Sequence, residues 1–312
     1  MRILADAVPL GAPPGRVSLA VGVFDGVHLG HRAVIQRTIE DARSAGGMAV
    51  VVTFDRHPSA VLAPASAPQM LWPLWRRLEA IGESGVEATL VFAFDEEFSR
   101  QPAAAFVERL VRGFGSVAGI SVGAGFVFGH RRSGNLEVLR DLGSRHGFAV
   151  HGVPPVTIAG EVVSSTRIRE LVAAGDLVRA GALLGRAYTL AGEVVAGDRL
   201  GRQLGFPTAN LDVPGLVLPP RGVYAAWART AGRRLPAAVN IGVRPTVDGT
   251  AAVPRVEAHL LGFAGELYGA RLELELASRL REERRFPSPA ALRTAIGEDV
   301  AAVRSWAEKE GC

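Results

Sequence analysis

An apolar run from Val17 to Val23 passes straight into Gly22-Val23-Phe24-Asp25-Gly26-Val27-His28-Leu29-Gly30-His31 and then into Arg32 to Arg43, a stretch with helical spacing. Strand, glycine turn and helix in that order outline a phosphate site. Gly26 and Gly30 let the backbone come close to a ligand, and the new helix aims unpaired N–H groups and a positive dipole end at an anion. His28 and His31 lie three apart, so both rings can face one phosphate and donate hydrogen bonds to charge that builds up during an in-line displacement. A metal site is the competing reading of such a pair. No cysteine or third histidine at ligand spacing supports it.

Further apolar runs, Met48 to Phe54, Ala88 to Phe94, Val117 to Val122 and Phe148 to Val153, alternate with helical patterns at Arg76 to Glu83, Ala103 to Phe114 and Leu136 to His146. This alternation predicts a parallel sheet covered on both faces, with ligands beyond the carboxyl ends of its strands. His57, in Asp55-Arg56-His57-Pro58, follows a strand and would lie on that edge, although taken alone it reads as a loop or packing residue before a catalytic one. Ser164-Ser165-Thr166-Arg167-Ile168-Arg169 opens a helical stretch through Ala173. Its hydroxyls can cap the helix, and with the arginines they also suit the β- and γ-phosphates of ATP.

Near Leu184-Gly185-Arg186 the pattern changes. Short β-branched or aromatic runs follow at Tyr188 to Val195, Gly222 to Ala228, Ala237 to Ile241, Arg255 to Leu261 and Arg271 to Ala277, which predicts a small antiparallel barrel. A closing helix from Ala290 to Trp306 would pack Leu292, Ile296, Val300 and Val303 on one face. Between Gly192 and Asn210, glycines including Gly197 and Gly201 offer a backbone able to cover phosphates, followed by Leu204-Gly205-Phe206-Pro207-Thr208-Ala209-Asn210. On an extended segment Thr208 and Asn210 face one side and present neutral oxygens to a hard cation such as Mg²⁺; turn formation is the alternative.

The 312 residues suffice for two domains, and a 48% hydrophobic content suffices for two cores. No apolar run reaches membrane-spanning length, the first residues do not resemble a leader, and Cys312 is the single cysteine, so a cytoplasmic protein without a disulfide or cysteine-metal cluster is expected. The net charge of +4 is spread among acids, as between Arg271 and Arg293, which argues against nucleic acid and suits anionic small substrates. Oligomeric state stays open.

His28-Leu29-Gly30-His31 in its strand-turn-helix setting resembles the nucleotidylyltransferase superfamily, and the longer turn is similar to its flavin adenylyltransferase branch. The resemblance extends to Thr53, Phe54, His57 and Pro58, with Arg56 at the place of a proline, and to the Ser-Ser-Thr-x-Ile-Arg block. It implies a doubly wound, Rossmann-like α/β domain over residues 1–185. Gly22, Phe24, Asp25, Gly30, Ser164, Ser165 and Thr166 would bind ATP phosphates, His28, His31 and Arg169 would be catalytic, and His57 and Phe126 would contact flavin. One departure stands out: Gly125 occupies the place where that family carries Asp or Asn, and Val127 that of a polar residue.

The block ending in Pro207-Thr208-Ala209-Asn210 resembles the riboflavin kinase family, as do Arg221 to Tyr224, Val239 to Thr246, Val256 to His259, Leu267 to Gly269 and Arg281 to Phe286. For residues 186–312 this implies a kinase barrel in which Glu257 is the general base, Thr208 and Asn210 hold Mg²⁺, Gly197, Gly201, Arg202, Gly205 and Pro207 bind ATP, and Arg281 and Phe286 meet the flavin. Together the two resemblances imply a bifunctional chain that converts riboflavin to FMN and FMN to FAD, with ATP, riboflavin and FMN as substrates. The alternatives are a kinase with a degenerate or regulatory N-terminal domain, or one using another nucleotide such as CTP.

Overall fold

The computed structural model describes residues 1–5, 16–198, 200–245 and 252–310; Thr246 and Cys312 fall outside them. The chain forms two compact units, one comprising Met1–Met70 and Leu74–Arg167, the other Leu71–Pro73 and Ile168–Cys312.

The first unit is built on a parallel sheet whose spatial order is β1 (Arg2–Ala5), β4 (Ala88–Phe92), β3 (Met48–Phe54), β2 (Val17–Val21), β5 (Val117–Gly123) and β6 (Ala149–Val153). Every residue of β2 is buried, which is why this strand reads as an uninterrupted apolar run instead of an alternating one. From β2 the chain builds outward through β3 to β4, then returns to add β5 and β6 on the other side. The reversal point beside β2 is where such sheets open a crevice at the strand ends. The helix Leu29–Ser44 buries Val34, Ile35, Thr38, Ile39 and Ala42 at helical spacing and so fixes the turn that precedes it.

Two expected strands of this sheet end two residues early in the structure. β2 stops at Val21 because the chain turns at Gly22, and Phe24 already has a φ of 53°. β4 stops at Phe92 because the Phe94 N–H donates to Asp55 Oδ1 at 2.9 Å, outside the strand ladder.

The helix Leu74–Glu83 buries Arg77, which is 1% exposed. Its guanidinium donates to the carbonyls of Val23 at 2.7 Å, Phe54 at 2.7 Å and Asp55 at 3.1 Å. These carbonyls lie at and just beyond the ends of β2 and β3, so one side chain fastens both carboxyl-end turns. Burial pushes the Arg77 pKa down, opposed by the negative charges of Asp25 and Asp55. Arg77→Met leaves those acceptors without this donor and is expected to lower unfolding free energy in urea by about 3 kcal/mol. A change below about 1 kcal/mol would mean that other groups satisfy them.

A short hairpin, β7 (Thr157–Ile158) and β8 (Glu161–Val162), precedes the helix Ser165–Ala174, and a further helix, Leu177–Leu184, follows that the sequence pattern did not single out. The second unit then closes a barrel in the order β10 (Ala209–Asp212), β13 (Ala252–Leu260), β12 (Arg233–Pro245), β11 (Gly222–Thr230), β14 (Arg271–Arg281) and β9 (Thr189–Val195). Closure leaves no open sheet edge. On β14, Leu272, Leu274 and Leu276 are buried while Glu273 and Glu275 alternate with them.

The last helix spans Pro289–Lys309 and is capped by Ser288, whose hydroxyl accepts the Ala291 N–H. Its fully buried stripe is Ala295, Asp299, Val303 and Ala307; Leu292, Ile296 and Val300 are only half-buried. The expected face is therefore rotated. A carboxylate enters the stripe because Arg281 meets Asp299 through two hydrogen bonds, at 2.9 and 2.7 Å.

Candidate active sites

In the first unit, Gly22 to His31 forms a tight turn with three positive φ angles, at Phe24, Gly26 (80°) and Val27 (39°). Positive φ at a β-branched residue is strained, so the surrounding packing must hold the turn. Asp25 and His28 are both buried. His28 Nδ1 accepts the His31 N–H at 3.2 Å and thereby caps the helix, which leaves the ring proton of a neutral His28 on Nε2. The two imidazoles stack with centroids 3.6 Å apart and 16° between their planes, and the Phe24 ring meets His31 edge-on at 5.2 Å. A Cβ on Gly30 would stand 3.2 Å from the His28 ring, and one on Gly22 would stand 3.2 Å from the Phe24 ring.

Ser165 Oγ donates to Asp25 O at 3.0 Å, which brings the Ser-Ser-Thr segment onto the histidine turn across 140 positions of chain. Ser164 is the helix cap, its hydroxyl accepting the Arg167 N–H at 3.2 Å; Thr166 lies in the first turn and Arg169 one turn further on. Arg167 is paired with Glu161. At the end of β3, His57 Nδ1 accepts the Ser59 N–H at 3.1 Å. Burial raises the neighbouring Asp55 carboxyl, but hydrogen bonds from Arg56 and the Phe94 N–H outweigh it and hold the group below its ordinary value. Phe126 stacks on Phe128 at 5.3 Å, while Val127 is exposed. Among the described residues, none beyond its chain neighbours has an atom within 4 Å of where a Gly125 Cβ would stand, so a side chain would fit there.

The barrel unit carries a second cluster. Strand register places Asn210 of β10 opposite Glu257 of β13, and Asn240 of β12 opposite Glu257 on its other side. One rung of the barrel thus reads Asn210, Glu257, Asn240, all on one face. Gly197 passes directly over Asn210: a Cβ there would stand 2.2 Å from Nδ2 and 2.7 Å from Oδ1. A Cβ on Gly201 would stand 2.4 Å from Phe206 O and 3.2 Å from Thr208 Oγ1. Over these two neutral oxygens the glycines place backbone and no side chain, and the oxygens form a donor set that fits a hard cation sharing its remaining positions with phosphate oxygens. Among the described residues no group of three His, Cys, Asp or Glu side chains could hold a metal instead.

A cavity of about 340 Å³ opens beside this cluster, lined among others by Arg202, Pro207, Thr208, Phe263, Leu267 and Tyr268. Pro207 O accepts from His259 Nδ1 at 2.8 Å, which ties β13 to the segment entering β10. Gly205 turns that segment with a φ of 89°. Arg281 and Phe286 lie against one another, the guanidinium carbon 5.5 Å from the ring centroid. Arg281 uses Nε and Nη2 on Asp299, and Nη1 donates to Glu282 O at 3.1 Å. Arg255 went unnoticed in the sequence: it bonds Glu257, Asn210 and Asp198 together. Its place two residues before Glu257 on an alternating strand was the available signal.

A substitution tests the glycine cradle. Gly197→Ala drives a methyl into the Asn210 amide and should lower kcat/KM at the barrel site by about 10²-fold, measured against unchanged turnover at the histidine turn.

A Rossmann-like sheet with histidines at its switch point and a closed barrel with a glycine-covered Thr/Asn pair define a nucleotide-dependent transferase of two domains. An FAD synthetase family model matches residues 12–167, and a riboflavin kinase model matches residues 184–307. The chain is 43% identical to a bifunctional riboflavin kinase/FMN adenylyltransferase of Pseudomonas fluorescens, covering 92% of each, and 36% identical to one of Escherichia coli K12, covering 95% of this chain and 94% of that one. Its fold also superposes on a crystal structure described as a macrolide-efflux protein from Streptococcus pneumoniae, with a TM-score of 0.81, 27% identity and coverage of 98% and 100%. The chain belongs to the bifunctional riboflavin kinase/FMN adenylyltransferase family. Matches to both domain models favour two activities over a kinase with a degenerate partner domain.

Proposed function

We propose that residues 186–312 transfer the γ-phosphate of ATP to riboflavin, and that residues 1–185 join the FMN so made to the AMP portion of a second ATP. The rung of Asn210, Glu257 and Asn240 under Gly197 carries the first assignment. Glu257 takes the proton of the ribityl hydroxyl as its oxygen attacks the γ-phosphorus, and ADP departs. Thr208 and Asn210 would hold Mg²⁺, which supplies charge compensation on the phosphates when bound. Arg202, Pro207 and the backbone through Gly197, Gly201 and Gly205 line the nucleotide side.

In the adenylyl transfer the FMN phosphate is the nucleophile and is already ionised, so no general base is needed. Its oxygen attacks the α-phosphorus of ATP and pyrophosphate leaves. His28 and His31 donate to the charge on the transferring and leaving oxygens, while Ser164, Ser165, Thr166 and Arg169 hold the pyrophosphate end at the helix start. Gly22, Phe24, Asp25 and Gly30 shape the turn around the nucleotide, and His57 and Phe126 border the flavin. Arg281 and Phe286 border it in the kinase domain. The setting of this chemistry is the cytoplasm; no helix among the described residues is long and apolar enough to cross a membrane.

Isotope placement tests the scheme. With riboflavin as substrate, γ-labelled ATP should label FMN and the FMN half of FAD, whereas α-labelled ATP should label FAD alone. Label from α-ATP in FMN, or FAD without α-label, would contradict it.

A further inference from the structure

Arg255 links three separate pieces of the kinase cluster. Its Nη2 donates to Glu257 Oε1 at 2.7 Å, its Nε to Asn210 Oδ1 at 3.4 Å and its Nη1 to Asp198 Oδ2 at 3.1 Å. Asp198 immediately follows Gly197 in the segment that passes over Asn210. The arginine's partner on β12 is Gly242, and the room left by that missing side chain is filled by the Glu283 carboxylate, since a Cβ there would stand 2.2 Å from Glu283 Oε1. Arg255 is only 27% exposed in its side chain, so this is a half-buried network on one barrel face and differs from an isolated surface pair.

The arrangement conflicts with the chemistry assigned to its partners. A carboxylate oxygen already accepting from a guanidinium is poorly disposed to accept a substrate proton, and a fixed positive charge on the Asn210 oxygen repels a divalent cation. We propose that Arg255 is a positioning residue that latches the kinase site against cation entry. In that state it holds the Asp198 segment, the cation-binding oxygen and the base in register. When a divalent cation arrives with a nucleoside triphosphate, the guanidinium releases Asn210 and Glu257, and the Asp198 segment is free to settle over the phosphates. The proposal rests on the kinase reading above and adds to it a barrier to cation entry that belongs to this side chain.

The test compares the full-length protein with Arg255→Gln and Arg255→Lys at saturating riboflavin and ATP while free Mg²⁺ is varied. Arg255→Gln should reach half-maximal FMN formation at about three- to tenfold lower Mg²⁺, with kcat within about threefold of the unsubstituted protein. Arg255→Lys keeps the charge but lacks the fork that spans three partners, so its shift should be smaller and in the same direction. A second readout needs no turnover: Mn²⁺ binding followed by electron paramagnetic resonance in the presence of ADP should tighten by the same factor in Arg255→Gln. The lysine variant keeps the comparison decisive if the glutamine variant fails to fold. Variants that make FMN with unaltered Mg²⁺ dependence and unaltered Mn²⁺ affinity would overturn the latch, as would a fall in kcat alone, which is the signature of simple support for Glu257. Absence of FMN from the folded unsubstituted protein would instead sink the kinase reading itself.

Discussion

Glu257→Gln is expected to lower kcat for riboflavin phosphorylation by about 10³-fold and to leave FMN adenylylation unchanged. Glutamine has nearly the same shape and can still accept a hydrogen bond from Arg255, so the barrel rung between Asn210 and Asn240 stays intact. The substitution removes only the capacity to take a proton from the attacking hydroxyl. Because the residue sits in the barrel unit, a drop confined to FMN formation separates loss of the base from loss of folding. Activity within about tenfold of the unsubstituted protein would assign the base elsewhere.

The second large effect lies at the histidine turn. His28 does two things: Nδ1 caps the helix Leu29–Ser44, and the remaining ring nitrogen carries the proton available to a phosphate. His28→Asn separates them. Asparagine is among the best capping residues, so its side-chain oxygen can accept the His31 N–H and stability should stay within about 1 kcal/mol. The Nε2 donor is gone. FAD formation from FMN and ATP should therefore fall by about 10²- to 10³-fold, while riboflavin phosphorylation continues. Equal loss of both activities would show general unfolding, and no loss would remove His28 from the phosphate site.

Local pattern made much of this legible. The helices Ala103–Phe114 and Leu136–His146 and the strand Met48–Phe54 have the limits that periodicity predicts, since each is an apolar stripe or run bounded by turn residues. The histidine turn was legible because its glycines, capping histidine and following helix are contiguous in sequence. Contacts between distant segments were not. Arg77 reads as one of two arginines on an amphipathic helix, and only the assembled sheet brings the Val23, Phe54 and Asp55 carbonyls to it. Asn210 faces Glu257 through strand register, which a sequence with several short strands does not specify.

The last helix shows how tertiary context overrides amphipathic pattern. Leu292, Ile296, Val300 and Val303 suggested the buried face; Val303 is fully buried as expected, but beside it the stripe runs through Ala295, Ala307 and the Asp299 carboxylate, which the bidentate pair with Arg281 holds there. The same pair occupies much of the donor capacity of Arg281, so any contact with flavin would come through the face it shares with Phe286. Gly125 is the opposite case. A residue conspicuous as a departure from the family pattern proves to be a position with room for a side chain among the described residues.

The most direct measurement is a chromatographic time course of the purified protein with riboflavin, ATP and Mg²⁺, repeated with FMN as the starting flavin. FMN appearing first and FAD after it, with FAD also formed from supplied FMN, is the result that two transferase sites on one chain predict. FMN that accumulates without FAD, even when FMN is supplied, would contradict the adenylyl-transfer assignment, and folded protein that yields neither product would contradict the whole account.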